Sequence, residues 1–299
     1  MSFAAWPGLL ALCIAGYAYG DSLGHPILGY NITYFGMAGA LLLLERLMPY
    51  EAEWAKSDGQ MRQDISHTIL NKGIGQLLAT MGAMLGANAV APAAASGIWP
   101  GHWPMAAQVV LGLIVGEFGL YWAHRLGHEI PYLWRFHAVH HSVTRLWVVN
   151  TGRFHFVDSL LSALFPLVIA TLLGAPKEVI VWVLAITTYI GFLTHCNVDM
   201  DSRGLNWLFN TPDLHRWHHS RDPVEGNTNY GENLLLWDVI FRTRYLPANQ
   251  RPPVNIGTAD KVPPTFLGQL AYPFRRPART TAPLLETPVL EVGAEVGAD

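Results

Sequence analysis

The sequence predicts an all-α integral membrane protein: a transmembrane helical bundle of four to six spans, capped on its cytoplasmic side by a helical, histidine-rich domain. Three observations predict it. The 299 residues are 51% hydrophobic and only 14% charged, against about 25% charged in an ordinary soluble domain. The apolar residues gather in six long runs. Most of the 13 histidines fall in three tight clusters, all on one side of the topology those runs define.

The runs are Phe3–Gly20, Ile27–Met48, His67–Val90, Met105–Trp122, Leu160–Gly174 and Val179–Thr194. A helix needs about 20 residues to cross roughly 30 Å of hydrocarbon. The second, third and fourth runs meet or approach that length, and the first is borderline. The last two are short and are joined by Ala175-Pro176-Lys177-Glu178, so they read as a tight helical hairpin that need not cross fully. No base precedes Arg46. The first run therefore reads as a retained membrane segment, because a cleaved signal peptide normally opens with positive charge.

If all six runs cross, both termini share one side with loops 49–66, 123–159 and 195–299. Arg46, Lys56, Arg62, Arg125, Arg135, Arg145, Arg153 and nearly all later bases lie there. The other side, residues 21–26, 91–104 and 175–178, holds Lys177 as its only base. The positive-inside rule makes the basic side cytoplasmic. Lys72 lies inside a run and belongs to neither side. Trp99 and Trp103 read as interfacial residues of the outer loop, and His25 and His102 as ordinary polar positions. Three segments follow: N-terminal transmembrane helices over 1–104, a histidine-rich domain with the membrane hairpin over 105–247, and a C-terminal extension over 248–299. The extension is expected to be largely disordered, since 277–299 is rich in Pro, Ala, Thr and Glu without an apolar period.

The net charge of −3 argues against nucleic acid as a partner. Cys13 and Cys196 supply neither a disulfide framework nor a Cys-x2-Cys metal site and read as small hydrophobes.

The clusters carry the chemistry. His124-x3-His128 ends the fourth run. His137-x2-His140-His141 follows Pro131, and His215-x2-His218-His219 follows Pro212, with Thr211 as N-cap. On a helix, positions i, i+3 and i+4 share a face, so each cluster aims two or three imidazoles at one point. A lone histidine is usually a satisfied core residue, but solvation does not explain three clusters on one side of a membrane. Imidazole is the commonest neutral metal ligand and suits iron, zinc and copper. Eight imidazoles, nine with His195, exceed what one tetrahedral ion needs, and the surplus argues for two ions. His155 is a tenth candidate, whereas His67 reads as structural. Asp199, Asp201, Asp213 and Asp238 stand nearby as groups that could orient the ligands. Two ions with open positions can bind and reduce dioxygen and so attack an unactivated C–H bond. A lipid is the natural substrate for such a site at a bilayer surface. Trp122, Trp134, Trp147 and Trp217 either line the lipid's way in or form an interfacial belt. Arg145 and Arg153 either attract an anionic headgroup or redox partner, or are ordinary cytoplasmic-side charges.

HRLGH (124–128), HAVHH (137–141) and HRWHH (215–219) resemble the three histidine boxes of the fatty acid hydroxylase/sterol desaturase superfamily of integral membrane di-iron enzymes. Thr194-His195-Cys196-Asn197 and Asn229-Tyr230-Gly231 are similar to further features of that family. The resemblance covers roughly residues 105–247. It implies four main spans under a cytoplasmic cap, two iron ions (Fe2+/Fe3+), dioxygen as co-substrate and a lipid substrate. Its ligand set maps onto His124, His128, His137, His140, His141, His195, His215, His218 and His219. His155 remains a tenth candidate, and Asn197, Asp213 and Asn229 are candidates to support the ligands. Some members carry a fused cytochrome b5 domain. Here His25-Pro26 lacks the Gly-Gly of that motif, so a separate ferredoxin or cytochrome b5-like donor with its reductase is implied. Members act on sterols, acyl chains, alkylglycerols, carotenoids or ornithine lipids, and the boxes do not separate these. Hydroxylation is favoured, with desaturation of a sterol or acyl lipid as the alternative. A zinc-dependent membrane hydrolase would use fewer histidines and normally a His-Glu-x2-His base motif, which the chain lacks. A haem electron-transfer protein would pair histidines inside the spans, whereas these lie in caps and loops.

Overall fold

The first two apolar runs fold as α1 (Ser2–Ser22) and α2 (Pro26–Leu47) in the computed structural model, which describes residues 2–75, 77, 78, 81 and 98–275. Gly24 turns the chain between them at φ +76°, a conformation that costs glycine little. Gly20 and Gly29 let the two backbones touch: a Cβ on Gly20 would stand 2.7 Å from the Gly29 Cα. Small residues at such crossings are the usual device of helices packed in lipid.

After a short loop come α3 (Met61–Ser66), which continues as a π-helical turn over His67–Gly73, and then α4 (Met105–Glu129) and α5 (Pro131–His141). Ile130, extended at φ −97° and ψ 114°, separates α4 from α5, because a residue before proline is pushed out of the helical region. The hairpin is α6 (Phe156–Leu172) and α7 (Lys177–His195). Short helices complete the cap: α8 (Pro212–His218), α9 (Pro223–Gly226), α10 (Leu236–Phe241) and α11 (Phe266–Ala271). Among the described residues there is no extended strand, only isolated bridges such as Pro49 with Val198.

Four helices are long and apolar enough to cross a membrane, α1, α2, α4 and α7, while α6 is apolar but only 17 residues long. Among the described residues, five of the six expected runs are thus accounted for, by four full-length helices and one short one. Of the third run only residues 67–75, 77, 78 and 81 are described. The chain is a helical membrane protein. Tyr17, Leu41, Tyr189 and Leu193 bury the seam between α1, α2 and α7. Ile27, Ile32, Phe35 and Leu43 of α2 face outward and exposed, as lipid-facing positions do. Both cysteines are buried free thiols, and Cys196 is pushed up to about 12 by burial, which leaves it inert.

Buried carboxylates fasten the cap, two of them to the bundle and one within itself. Glu45 of α2 accepts from the Val148 and Asn197 amides at 2.7 and 3.0 Å. Glu117 of α4 accepts from the Glu232 and Asn233 amides at 2.6 and 2.9 Å. Asp238 of α10 accepts from the Tyr230 and Gly231 amides at 2.8 and 2.7 Å. Each carboxylate satisfies backbone donors that the loops would otherwise bury unpaired. Part of the extension expected to be disordered is folded onto the cap. The Trp134 indole donates to Asp260 at 2.7 Å, and Gln269 meets the His67 ring at 2.8 Å. The tail 276–299 lies outside the described residues.

Candidate metal centre

Local geometry places each imidazole. His124 and His128 occupy the last two turns of α4, with ring centroids 5.2 Å apart. Pro131 restarts the helix at once, so α5 brings His137, His140 and His141 back beside them. His195 is the last residue of α7. Pro212 opens α8, which carries His215 and His218, with His219 as its C-cap. Thr211 is the N-cap as expected, but its hydroxyl bonds no backbone amide.

The nine rings converge in two groups. His124, His128, His137, His141 and His218 form one, and His140, His195, His215 and His219 the other. Within each group, one nitrogen from every ring lies within 4.8 Å of all the others. Some nitrogens are closer still: His219 Nε2 lies 3.0 Å from His215 Nε2 and 3.1 Å from His140 Nε2, and His141 Nε2 is 3.1 Å from His137 Nε2. Donors about 2.1 Å from one ion and at right angles to each other would be about 3.0 Å apart. The spacing is that of coordination edges.

Outer hydrogen bonds fix which nitrogen faces inward. Nδ1 of His124 donates to the Tyr230 carbonyl (2.7 Å), of His128 to Asn227 Oδ1 (3.0 Å), of His137 to Asp158 Oδ2 (2.9 Å) and of His218 to the Thr228 carbonyl (2.8 Å). His140 turns its Nδ1 to the Arg153 carbonyl and His195 to Asn150 Oδ1. The opposite nitrogen is then the lone pair, as in metal sites generally. In His124, His128 and His218 that Nε2 is buried and has no partner. Burial, reinforced by mutual repulsion, holds His137, His140, His141, His215, His218 and His219 well below the usual imidazole range. They stay neutral, the form that binds a metal.

The other candidates fall elsewhere. His155 belongs to neither group. It caps α6, accepting from the Val157 amide at 3.1 Å, and its Nε2 meets the Leu270 carbonyl at 3.2 Å. Asn197, Asp213 and Asn229 form no hydrogen bond with an imidazole among the described residues. Asn197 pairs with the Glu51 backbone. Asp213 accepts from Arg216 (3.1 Å) and Ser202 (2.8 Å). Asn229, at φ 53°, holds the Leu214 and Tyr245 carbonyls. The supporting positions that sequence reasoning missed are Asp158, Asn150, Asn227 and three carbonyls. Asp158 alone had a local signal, an acid three residues after His155 in an otherwise apolar stretch. Arg145 and Arg153 are buried in the cap rather than offered to a headgroup. Arg145 donates to the Trp54 and Lys56 carbonyls, and Arg153 pairs with Asp64 at 2.7 Å. Trp147 is buried on Asp64, and Trp217 is buried too.

A cavity of about 420 Å³ runs from the histidines into the bundle. His124, His140, His195 and His215 close its inner end. Its walls are mostly apolar, among them Leu120, Pro166, Val183 and Phe192 from α4, α6 and α7. Gly119 brings α4 onto the α6 backbone, since a Cβ there would stand 2.6 Å from the Pro166 nitrogen.

Fold and site together define a helical membrane protein with a buried two-centre histidine site at the end of an apolar cavity. The model of the fatty acid hydroxylase family matches residues 109–243. The ornithine lipid hydroxylase OlsE of Rhizobium tropici is 49% identical over 92% of this chain and 84% of that protein. The alkylglycerol monooxygenase of Xenopus tropicalis is 30% identical over 45% of this chain and 30% of its own length. A probable Delta(7)-sterol 5(6)-desaturase of Neurospora crassa is 28% identical over 46% of this chain and 38% of its own. No solved structure matches significantly. The chain belongs to the fatty acid hydroxylase superfamily. It is an oxidoreductase of lipid hydroxylation or desaturation.

Proposed function

We propose that this protein is a di-iron hydroxylase that oxidises a C–H bond of a membrane lipid, with ornithine lipid as the first candidate substrate. His124, His128, His137, His141 and His218 would hold one ion, and His140, His195, His215 and His219 the other. The fit rests on the donor set: nine imidazoles and no thiolate, with Nε2 of His124, His128 and His218 buried and unpartnered, and Nε2 of His219 spaced from those of His140 and His215 as coordination edges. Two irons bound there supply dioxygen reduction and the oxidising strength that removal of an unactivated hydrogen requires. The protein's own part is positioning and exclusion of water. Asp158, Asn150 and Asn227 aim the ligands, and the apolar walls of α4, α6 and α7 hold the lipid against the inner end of the cavity.

The observation that carries this reading is the junction of the two features: four of the nine histidines are also walls of the apolar cavity. The similarity to a named ornithine lipid hydroxylase favours hydroxylation of that lipid class. Both termini and the histidines lie on the cytoplasmic side in this reading, and electrons come from a separate ferredoxin or cytochrome b5-like donor through its reductase.

Lipid mass spectrometry of cells with and without the protein tests it. Gain of one oxygen (~+16 mass units) in an ornithine-headed lipid is expected. Loss of two hydrogens would establish desaturation instead. An unchanged lipidome together with zinc-dependent ester hydrolysis would defeat the reading in favour of a membrane hydrolase.

A further inference from the structure

Lys72 is a cation inside an apolar run, on a π-helical turn, and it lines the cavity. π-turns inside helices are rare and gather at functional sites. The Lys72 ammonium forms no ion pair or hydrogen bond with another described residue. It lies over the Phe154 ring, 4.4 Å from Nζ to centroid. That same ring stacks on His140 at 4.1 Å. One phenyl group thus contacts both the ammonium and a histidine of the second group. The cavity holds one carboxylate as well. Glu232 lines it, its backbone anchored by Glu117, and its side chain likewise makes no polar contact with a described residue.

A cation and an anion without an ionic or hydrogen-bonding partner among the described residues of one largely apolar cavity are costly unless a ligand completes them. We propose that Lys72 and Glu232 are specificity-determining residues that receive a zwitterionic lipid headgroup, Lys72 its carboxylate and Glu232 its amine. The inference rests on the proposed lipid oxidation and narrows its substrate class. A headgroup acylated on one amine of ornithine keeps both charges. Because Lys72 and His140 share a ring, a carboxylate held by Lys72 keeps the carbons next to it close to the histidines. An alkyl tail would then lie along the apolar walls, away from them.

The test measures binding as well as turnover, on the full-length protein in nanodiscs, with ornithine lipid, its carboxyl methyl ester and its N-acetylated amine as probes. Wild type should bind the free zwitterion about tenfold or more tightly than either blocked lipid, the range for charge-assisted contacts in a partly buried site. Lys72→Met should abolish discrimination against the ester, Glu232→Gln should abolish it against the N-acetyl lipid, and Lys72→Arg should restore much of the first. Iron content should stay at the wild-type level in all three, which separates headgroup recognition from damage to the metal site. Equal binding of all three lipids by wild type, or undiminished discrimination in Lys72→Met, would overturn the proposal while leaving lipid oxidation standing. Charge-dependent binding without any oxidation would do the reverse.

Discussion

His141 and His219 lie face to face, with ring centroids 4.4 Å apart and 23° between their planes, yet they belong to different donor groups. They come from α5 and the end of α8, 78 positions apart. Their stacking marks the seam between the two centres. It also makes each centre sensitive to the other, because neither ring can tilt without moving its neighbour.

Replacing a histidine that touches a ring of that seam should disturb both centres. His140→Ala removes a nitrogen 3.1 Å from His219 Nε2. Oxidation should be abolished, and iron should fall below the wild-type content, with membrane insertion unchanged. Full turnover by this variant would refute the assignment of the second group. His102→Ala, at an exposed position, is the control and should be silent.

Asp158 supports His137, whereas Asp213 supports α8. Loss of a carboxylate that orients a metal-bound histidine typically lowers metal affinity or activity about 10- to 100-fold. Asp158→Asn should show that loss in iron titration. Asp213→Asn should retain iron affinity and lower thermal stability modestly, because its partner Arg216 is buried but keeps bonds to the Cys196 and Val198 carbonyls. Equal effects of the two variants on iron would show that the outer hydrogen bonds do not set ligand orientation.

The metal-free protein should weaken in mild acid. Six cap histidines titrate well below 6.5 when folded and near 6.5 when unfolded. Between those values the unfolded chain binds more protons, so stability rises with pH and levels off above about 6.5. Thermal unfolding of the apo protein at pH 5.5 and 7.5 checks the sign: the lower pH should give the lower midpoint.

Gly119 tests the cavity wall. An added side chain there meets the Pro166 and Phe165 backbone at 2.6 to 2.8 Å, which cannot yield as a flexible side chain would. Gly119→Val should force α4 from α6 and destabilise by about 1–3 kcal/mol, seen as a lower unfolding midpoint in detergent. An unchanged midpoint would mean the two helices are not held at that crossing.

How much of this was legible depended on the range of each signal. Eight of the nine ligand candidates were legible because i, i+3 and i+4 spacing is local, whereas His195, alone at the end of α7, has no such spacing and was marked by the family resemblance. Their supports were not. Asn227 lies 99 positions from His128 and Asn150 lies 45 from His195, and backbone carbonyls carry no residue signature at all. Asn197, Asp213 and Asn229 stood close to the boxes in sequence, but they fasten loops and helix ends instead. Arg145 and Arg153 looked like loop charges, since nothing local shows that Asp58 and Asp64 come to meet them. Hydropathy found the apolar helices and the shortness of the hairpin's first arm, but placed its start four residues late, because Phe156-Val157-Asp158-Ser159 carries a buried acid ahead of the apolar run.

The central claim is that two separate ions occupy the two histidine groups, and iron stoichiometry of the purified, reconstituted protein tests it most directly. The account predicts two irons per chain, falling together with lipid oxidation in His140→Ala. A fully active preparation saturating at one iron per chain would contradict it.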